Sequence, residues 1–109
     1  MFKIEEKTLN NELFRKVIST NNHSQLVIMS IKDNIPTEIH PNIDQFFKVE
    51  DGQIEVYWVK DNFINKEIAS EGESITIPAN TYHEVVNIGD KPAKLYTIYS
   101  YAKIEDAPH

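Results

Sequence analysis

Short runs rich in Ile, Val and aromatic residues, each closed by a turn pair, leave this chain few folds to choose from. FRKVIS (14–19), QLVIMSI (25–31), QFFKVE (45–50), QIEVYWV (53–59), SITIP (74–78), HEVVNI (83–88) and AKLYTIYSY (93–101) read as β-strands. Between them stand Asn21–Asn22, Asp33–Asn34, Asp51–Gly52, Asp61–Asn62, Glu71–Gly72 and Gly89–Asp90, at the spacing of an antiparallel sandwich or barrel. No segment sustains a period of 3.6; TLNNELF (8–14) could at most begin a helical turn. Gly52, Gly72 and Gly89 each fall at such a turn, so each is expected to adopt φ > 0. Trp58 shares a strand face with Ile54 and Val56, which predicts core. The tail SYAKIEDAPH is expected to drape over the surface.

A chain of 109 residues predicts one domain, spanning 1–109. Its net charge of −6 argues against a nucleic-acid partner, which would call for a basic face. The absence of cysteine removes disulfides, thiolate metal sites and cysteine nucleophiles together. No stretch of eighteen apolar residues and no leader-like N-terminus is present, so a cytoplasmic, membrane-free protein is expected.

One stretch, EIHPNIDQFF (38–47), does not read as plain strand. Glu38 and His40 stand two apart, and alternate residues of a strand share a face. A second histidine, His83, follows the turn residues Pro78 and Asn80 in a later strand. If the two strands are neighbours, two imidazoles and a carboxylate converge, a set suited to a divalent first-row metal. Histidines in β proteins are more often hydrogen-bonded structural or surface residues, and spacing alone does not decide between the two.

The arrangement of these residues resembles the cupin superfamily. Glu38-x-His40, four residues, Gln45, six residues, Gly52 falls in the register of the first cupin motif, H-x-H, three or four residues, E, six residues, G. Gly72, five residues, Pro78-x-Asn80-x-x-His83, three residues, Asn87 is similar to the second, G, five residues, P-x-G-x-x-H, three residues, N. DQFFKVEDG and KLYTIYS look like the small single-domain cupins described as mannose-6-phosphate isomerase-like. The resemblance implies an all-β jelly-roll barrel with one divalent metal ion in its mouth, Zn, Mn, Fe and Ni not being distinguished. Carried over residue by residue, it implies the ligands Glu38, His40, Gln45 and His83. It also implies a homodimer, since small cupins usually pair, often by exchanging N-terminal strands.

Three positions depart from the pattern. Glu38 replaces the usual first His, Gln45 the usual Glu, and Asn80 a turn Gly. The first two keep one carboxylate in the set but move it. Asn80 tolerates left-handed backbone. Asp44 is an alternative ligand to Gln45, because the turn after His40 hides the strand parity. His23 opens a strand and is a candidate second-layer partner or proton donor, or else a strand-end residue in solvent; no other catalytic residue is assigned. His109, at the terminus, is expected to be disordered. Tyr96, Tyr99 and Tyr101 divide between the two faces of their strand, closing the mouth, packing the core or lining a dimer interface. Asn87 is expected to brace the strand that carries His83.

Three functions follow from the resemblance. One is a metal-dependent enzyme, isomerase- or dioxygenase-like, acting on a small carbonyl or sugar-type molecule in the barrel. The second is a module that binds a metal or sugar without turnover. The third is a scaffold that has lost its metal.

Overall fold

The computed structural model describes residues 3–108; His109 lies outside the described residues. After a short helix α1 (Ile4–Asn10) come nine strands: β1 (Lys16–Thr20), β2 (Ser24–Ile31), β3 (Asn34–Glu38), β4 (Ile43–Asp51), β5 (Gln53–Lys60), β6 (Phe63–Ser70), β7 (Ser74–Ile77), β8 (His83–Asn87) and β9 (Ala93–Tyr101). They form a five-stranded sheet, β1-β2-β9-β4-β7, and a four-stranded sheet, β3-β8-β5-β6. All the strand pairings within these sheets are antiparallel. The result is the jelly roll expected from the sequence.

Alternation builds the interior. On β9, Ala93, Leu95, Thr97, Tyr99 and Tyr101 are buried, while Lys94, Tyr96, Ile98 and Ser100 face the other way. Val27, Met29 and Ile31 of β2 and Ile43, Phe47 and Val49 of β4 join them from the same sheet. Ile54, Val56 and Val85 close the core from the opposite sheet, with Trp58 packed against it, as the strand pattern predicts.

β2 is buried on both faces, which is why its sequence runs almost continuously apolar rather than alternating. The cover on its outer face is α1. Its glutamates Glu5 and Glu6 lie in the first turn, where the helix dipole favours negative charge. The helix ends because Asn11 turns the chain: its side chain donates to the Leu13 carbonyl at 2.8 Å and accepts from the Leu13 amide at 3.2 Å. The expected helical turn over 8–14 is therefore displaced. The helix is residues 4–10, and 11–14 lead away from it.

The turns behave as their residues predict, with one correction. Gly52 and Gly72 have φ of 89° and 84°, and Asn80 reaches 61°. Gly89 does not adopt positive φ; its amide instead donates to the Asn87 side chain at 2.8 Å. At Gly52 the backbone of β9 also comes close: a Cβ there would sit 3.1 Å from the Ala93 Cα. The tail does not merely drape, for Ala107 is buried in the core cluster and the Pro108 carbonyl accepts from Gln25. Among the described residues, no helix is long and apolar enough to cross a membrane.

Candidate metal centre

The register of β3 against β8 makes the site. Asn34 and Ile35 pair with Val86 and Val85, but Glu38, not Thr37, stands opposite His83. One extra residue between Ile35 and Glu38 is a β-bulge. It falls beside Pro36 on an edge strand, where a missing amide is tolerated. The bulge turns Glu38 to the same face as His83. β3 ends at Glu38, so His40 reaches the cluster from the connection that follows, not by strand alternation. That connection is tied down by the Asn80 amide, which donates to the His40 carbonyl at 3.1 Å.

Glu38, His40 and His83 present ligand atoms that all lie within 4.8 Å of one another. Glu38 Oε1 is 3.1 Å from His40 Nε2 and 3.3 Å from His83 Nε2. Side-chain exposure rises from 1% at His83 through 17% at His40 to 35% at Glu38, so the cluster opens to solvent on the carboxylate side. Partial burial pushes the Glu38 carboxyl up, but His40 and His83, when the nitrogens facing it carry protons, outweigh that through hydrogen bonding and charge and hold it at about 2.

The tautomer of His83 is fixed. Its Nδ1 lies 3.0 Å from the Thr81 carbonyl, which can only accept, so Nδ1 carries the proton. In the neutral ring Nε2 is then a lone pair, buried, without a hydrogen-bond donor, and aimed at the Glu38 carboxylate. Two acceptors at 3.3 Å repel unless a proton or a cation lies between them.

Gln45 lies on the inner face of β4, opposite Ile77 of β7 and Tyr99 of β9. It is 1% exposed; its amide nitrogen donates to Thr97 Oγ1 at 3.1 Å, and its carbonyl oxygen is buried with no donor. Two buried orphan acceptors and a carboxylate are a donor set that fits a divalent cation. Asp44 has the opposite parity: it is exposed, and its carboxylate accepts from the Ala79 amide at 2.9 Å, bracing the loop before His83. His23 is not in the cluster. It is exposed in a surface hollow with Asn42, Asp44 and Asn80, and its carbonyl accepts from the Tyr101 amide at 3.0 Å.

Asn87 braces β8 as expected. Its side chain donates to the carbonyls of Ile31, Lys32 and Lys91, at 3.0, 3.1 and 2.8 Å. The tyrosines divide between faces. Tyr96 packs on Phe46 on the outer face, while Tyr99 and Tyr101 point inward. The Tyr99 ring meets His40 edge-on at 5.3 Å. Burial, and then the charge of Glu38, pushes the Tyr99 hydroxyl above its ordinary pKa, so it remains a donor at neutral pH. Sequence reasoning left the places of Tyr99 and Thr97 open; both are polar groups at inward positions of an otherwise apolar strand.

The cupin domain family matches residues 25–99. The chain belongs to the cupins. This cupin is 43% identical over 102 residues to protein L612 of Acanthamoeba polyphaga mimivirus, covering 91% of the chain and 63% of that protein. It is 38% identical over 101 residues to YrkC of Bacillus subtilis strain 168, covering 89% of the chain and 54% of that protein. The chain thus spans less than two thirds of the length of each of these relatives. The crystal structure of BH2720 from Bacillus halodurans is 39% identical, with a TM-score of 0.88 over 100% of this cupin and 83% of that chain.

Proposed function

We propose that this cupin holds one divalent metal ion through Glu38, His40, Gln45 and His83 and acts on a small carbonyl or sugar-type molecule. The observation that carries the reading is His83, whose Nδ1 faces the Thr81 carbonyl and whose buried Nε2 faces the Glu38 carboxylate, a pair that needs a proton or a cation between them. Gln45 as the fourth donor is supported by its buried, unpartnered carbonyl. The substitution of Glu for the first motif His and of Gln for the motif Glu leaves two imidazoles instead of three and keeps one carboxylate, moved to position 38. We assign the chain to the small cupins resembling mannose-6-phosphate isomerases on DQFFKVEDG and KLYTIYS.

A bound ion of this kind supplies Lewis-acid polarisation of a carbonyl oxygen. The chain does the rest. Thr81 orients His83 through its carbonyl, and Thr97 orients Gln45 through its hydroxyl. Glu38, the most exposed of the cluster, marks the side from which a small molecule arrives. Tyr99, beside His40, is the neighbour able to donate a proton or hydrogen bond to an oxygen there.

Elemental analysis of protein purified without a His-tag tests the metal. One equivalent per chain is expected, and a metal-free protein that takes up none on addition of Zn, Mn, Fe or Ni removes the reading. The second reading is a binding module without turnover. It is favoured by the exposure of His23, which takes that candidate proton carrier away from the cluster. Turnover of a small aldose, ketose or uronate by the metal-loaded protein separates the two.

A further inference from the structure

Arg15 is the sole arginine of the chain, and it is half-buried. Its Nη2 donates to Gln25 Oε1 at 3.2 Å. Gln25 is itself fixed: its amide nitrogen donates to Thr20 Oγ1 at 3.1 Å and to the Pro108 carbonyl at 3.0 Å. On the inner face of the larger sheet, Gln25 pairs with Tyr99, and Tyr99 pairs with Gln45. Though burial outweighs them, Arg15 and Gln45 lie near enough to the Tyr99 hydroxyl to favour its ionised form, and the Tyr99 ring meets His40 edge-on at 5.3 Å. Neighbouring strands lie about 4.8 Å apart, so the row from β2 to β4 is about 10 Å long. A guanidinium therefore stands at one end of a short polar row whose other end reaches the candidate metal centre.

This guanidinium has no carboxylate partner. The ion pairs among the described residues join Glu38 to His40 and His83, Lys48 to Glu50, and Lys91 to Asp51, and none includes Arg15. A charge taken partly out of water is ordinarily paired, and here the neighbours are neutral acceptors. Of the five N–H donors in its planar fork, one is directed to Gln25. Such a fork matches a carboxylate in bidentate fashion. A monoanion is also repelled less by the nearby Glu38 charge than a phosphate dianion is.

We propose that Arg15 binds the carboxylate of the ligand, so that the site takes a small carboxylic acid whose hydroxyl or carbonyl oxygen reaches toward Glu38, His40, Gln45 and His83. The proposal rests on the metal reading above and names the substrate class of that site.

Calorimetric titration of the zinc-loaded protein with glycolate, with its neutral isostere glycolamide and with inorganic phosphate tests it, metal content being measured on the same samples. Wild type should bind glycolate on the order of tenfold or more tightly than glycolamide. Arg15→Gln should weaken glycolate on the order of ten- to a hundredfold, with metal content, glycolamide affinity and circular dichroism unchanged. Arg15→Lys should fall between. If Arg15→Gln does not fold, Arg15→Lys decides: a loss for glycolate alone supports the assignment, and no loss overturns it. Equal affinity of wild type for glycolate and glycolamide, or a preference for phosphate, overturns it with the metal still bound. A wild type that holds no zinc fails earlier and visibly, in the metal analysis, and takes the proposal down with the metal reading.

Discussion

At the scale of single residues, the proposed donors differ in how replaceable they are. Each imidazole supplies a nitrogen that no neighbour duplicates, so His40→Ala and His83→Ala should abolish stoichiometric metal. Gln45 supplies a neutral oxygen. Gln45→Glu should therefore tighten binding, and Gln45→Ala should weaken it less than either histidine change. Metal per chain after dialysis ranks the four variants; wild-type metal in both histidine variants would refute the assignment. Acid adds a second prediction at the same residues. The Glu38 carboxyl is held at about 2 against its ordinary 4.5. Its stabilising contribution is therefore complete above about 4.5 and is lost as pH falls toward about 2. In the metal-free protein, urea midpoints of wild type and Glu38→Gln should differ by a constant amount near neutrality and converge across that window. Parallel curves down to the lower end would mean that the carboxylate gains nothing from its histidines.

At the scale of elements, the bulge in β3 is the device that makes a site out of a strand. Regular pairing with β8 would set Thr37 opposite His83 and send Glu38 to the other face, so the exchange Thr37→Glu with Glu38→Thr leaves the carboxylate on the wrong face as long as the bulge stands. Metal should be lost while the far-ultraviolet spectrum stays that of a β protein; retained metal would mean that the bulge does not aim the carboxylate. Asn87 works from the far end of β8, the strand that carries His83. Asn87→Ala removes side-chain bonds to three carbonyls and one amide, and should cost about 2 kcal/mol in urea unfolding. The seven strands named from sequence were legible because burial on one face writes alternation into them and burial on both faces writes apolar runs. NIPTE and FINKEIAS, now β3 and β6, were not; like β1 and β7 they are edge strands, but these two also lack a clean apolar pattern. β3 carries Pro36, and β6 mixes Lys66 and Glu67 among exposed Ile64 and Ile68. Edge strands are blunted in this way against pairing with other chains, and that blunting hides them. Glu38, His40 and His83 were legible as a spaced motif, and the inward parity of Gln45 against Asp44 became plain only once β4 was seen to begin at Ile43. The place of Arg15 was not legible, since it depends on the register of three strands at once.

At the scale of the whole molecule, the interior is shared between apolar packing and one polar row, while a band of hydrophobes is left outside. Val59, Phe63, Ile64, Ile68 and Tyr82 are 43, 73, 77, 50 and 54% exposed, all on or beside the β5–β6 hairpin. Apolar surface gathered around one hairpin of a small protein favours self-association, and a two-fold pair is the commonest closed form. We therefore expect a dimer in solution, with Ile64→Lys shifting it toward monomer. Light scattering that gives a monomer mass for wild type at every concentration contradicts this. The proposed donors also come from both layers: Gln45 from the larger sheet, Glu38 and His83 from the smaller. An ion held by all of them is a rivet through the sandwich, and anything that binds only the folded chain raises its persistence by mass action. Metal supply would then set not only whether the site is charged for work but how long each copy survives the cell's proteases, so that scarcity of the ion thins out the protein that depends on it.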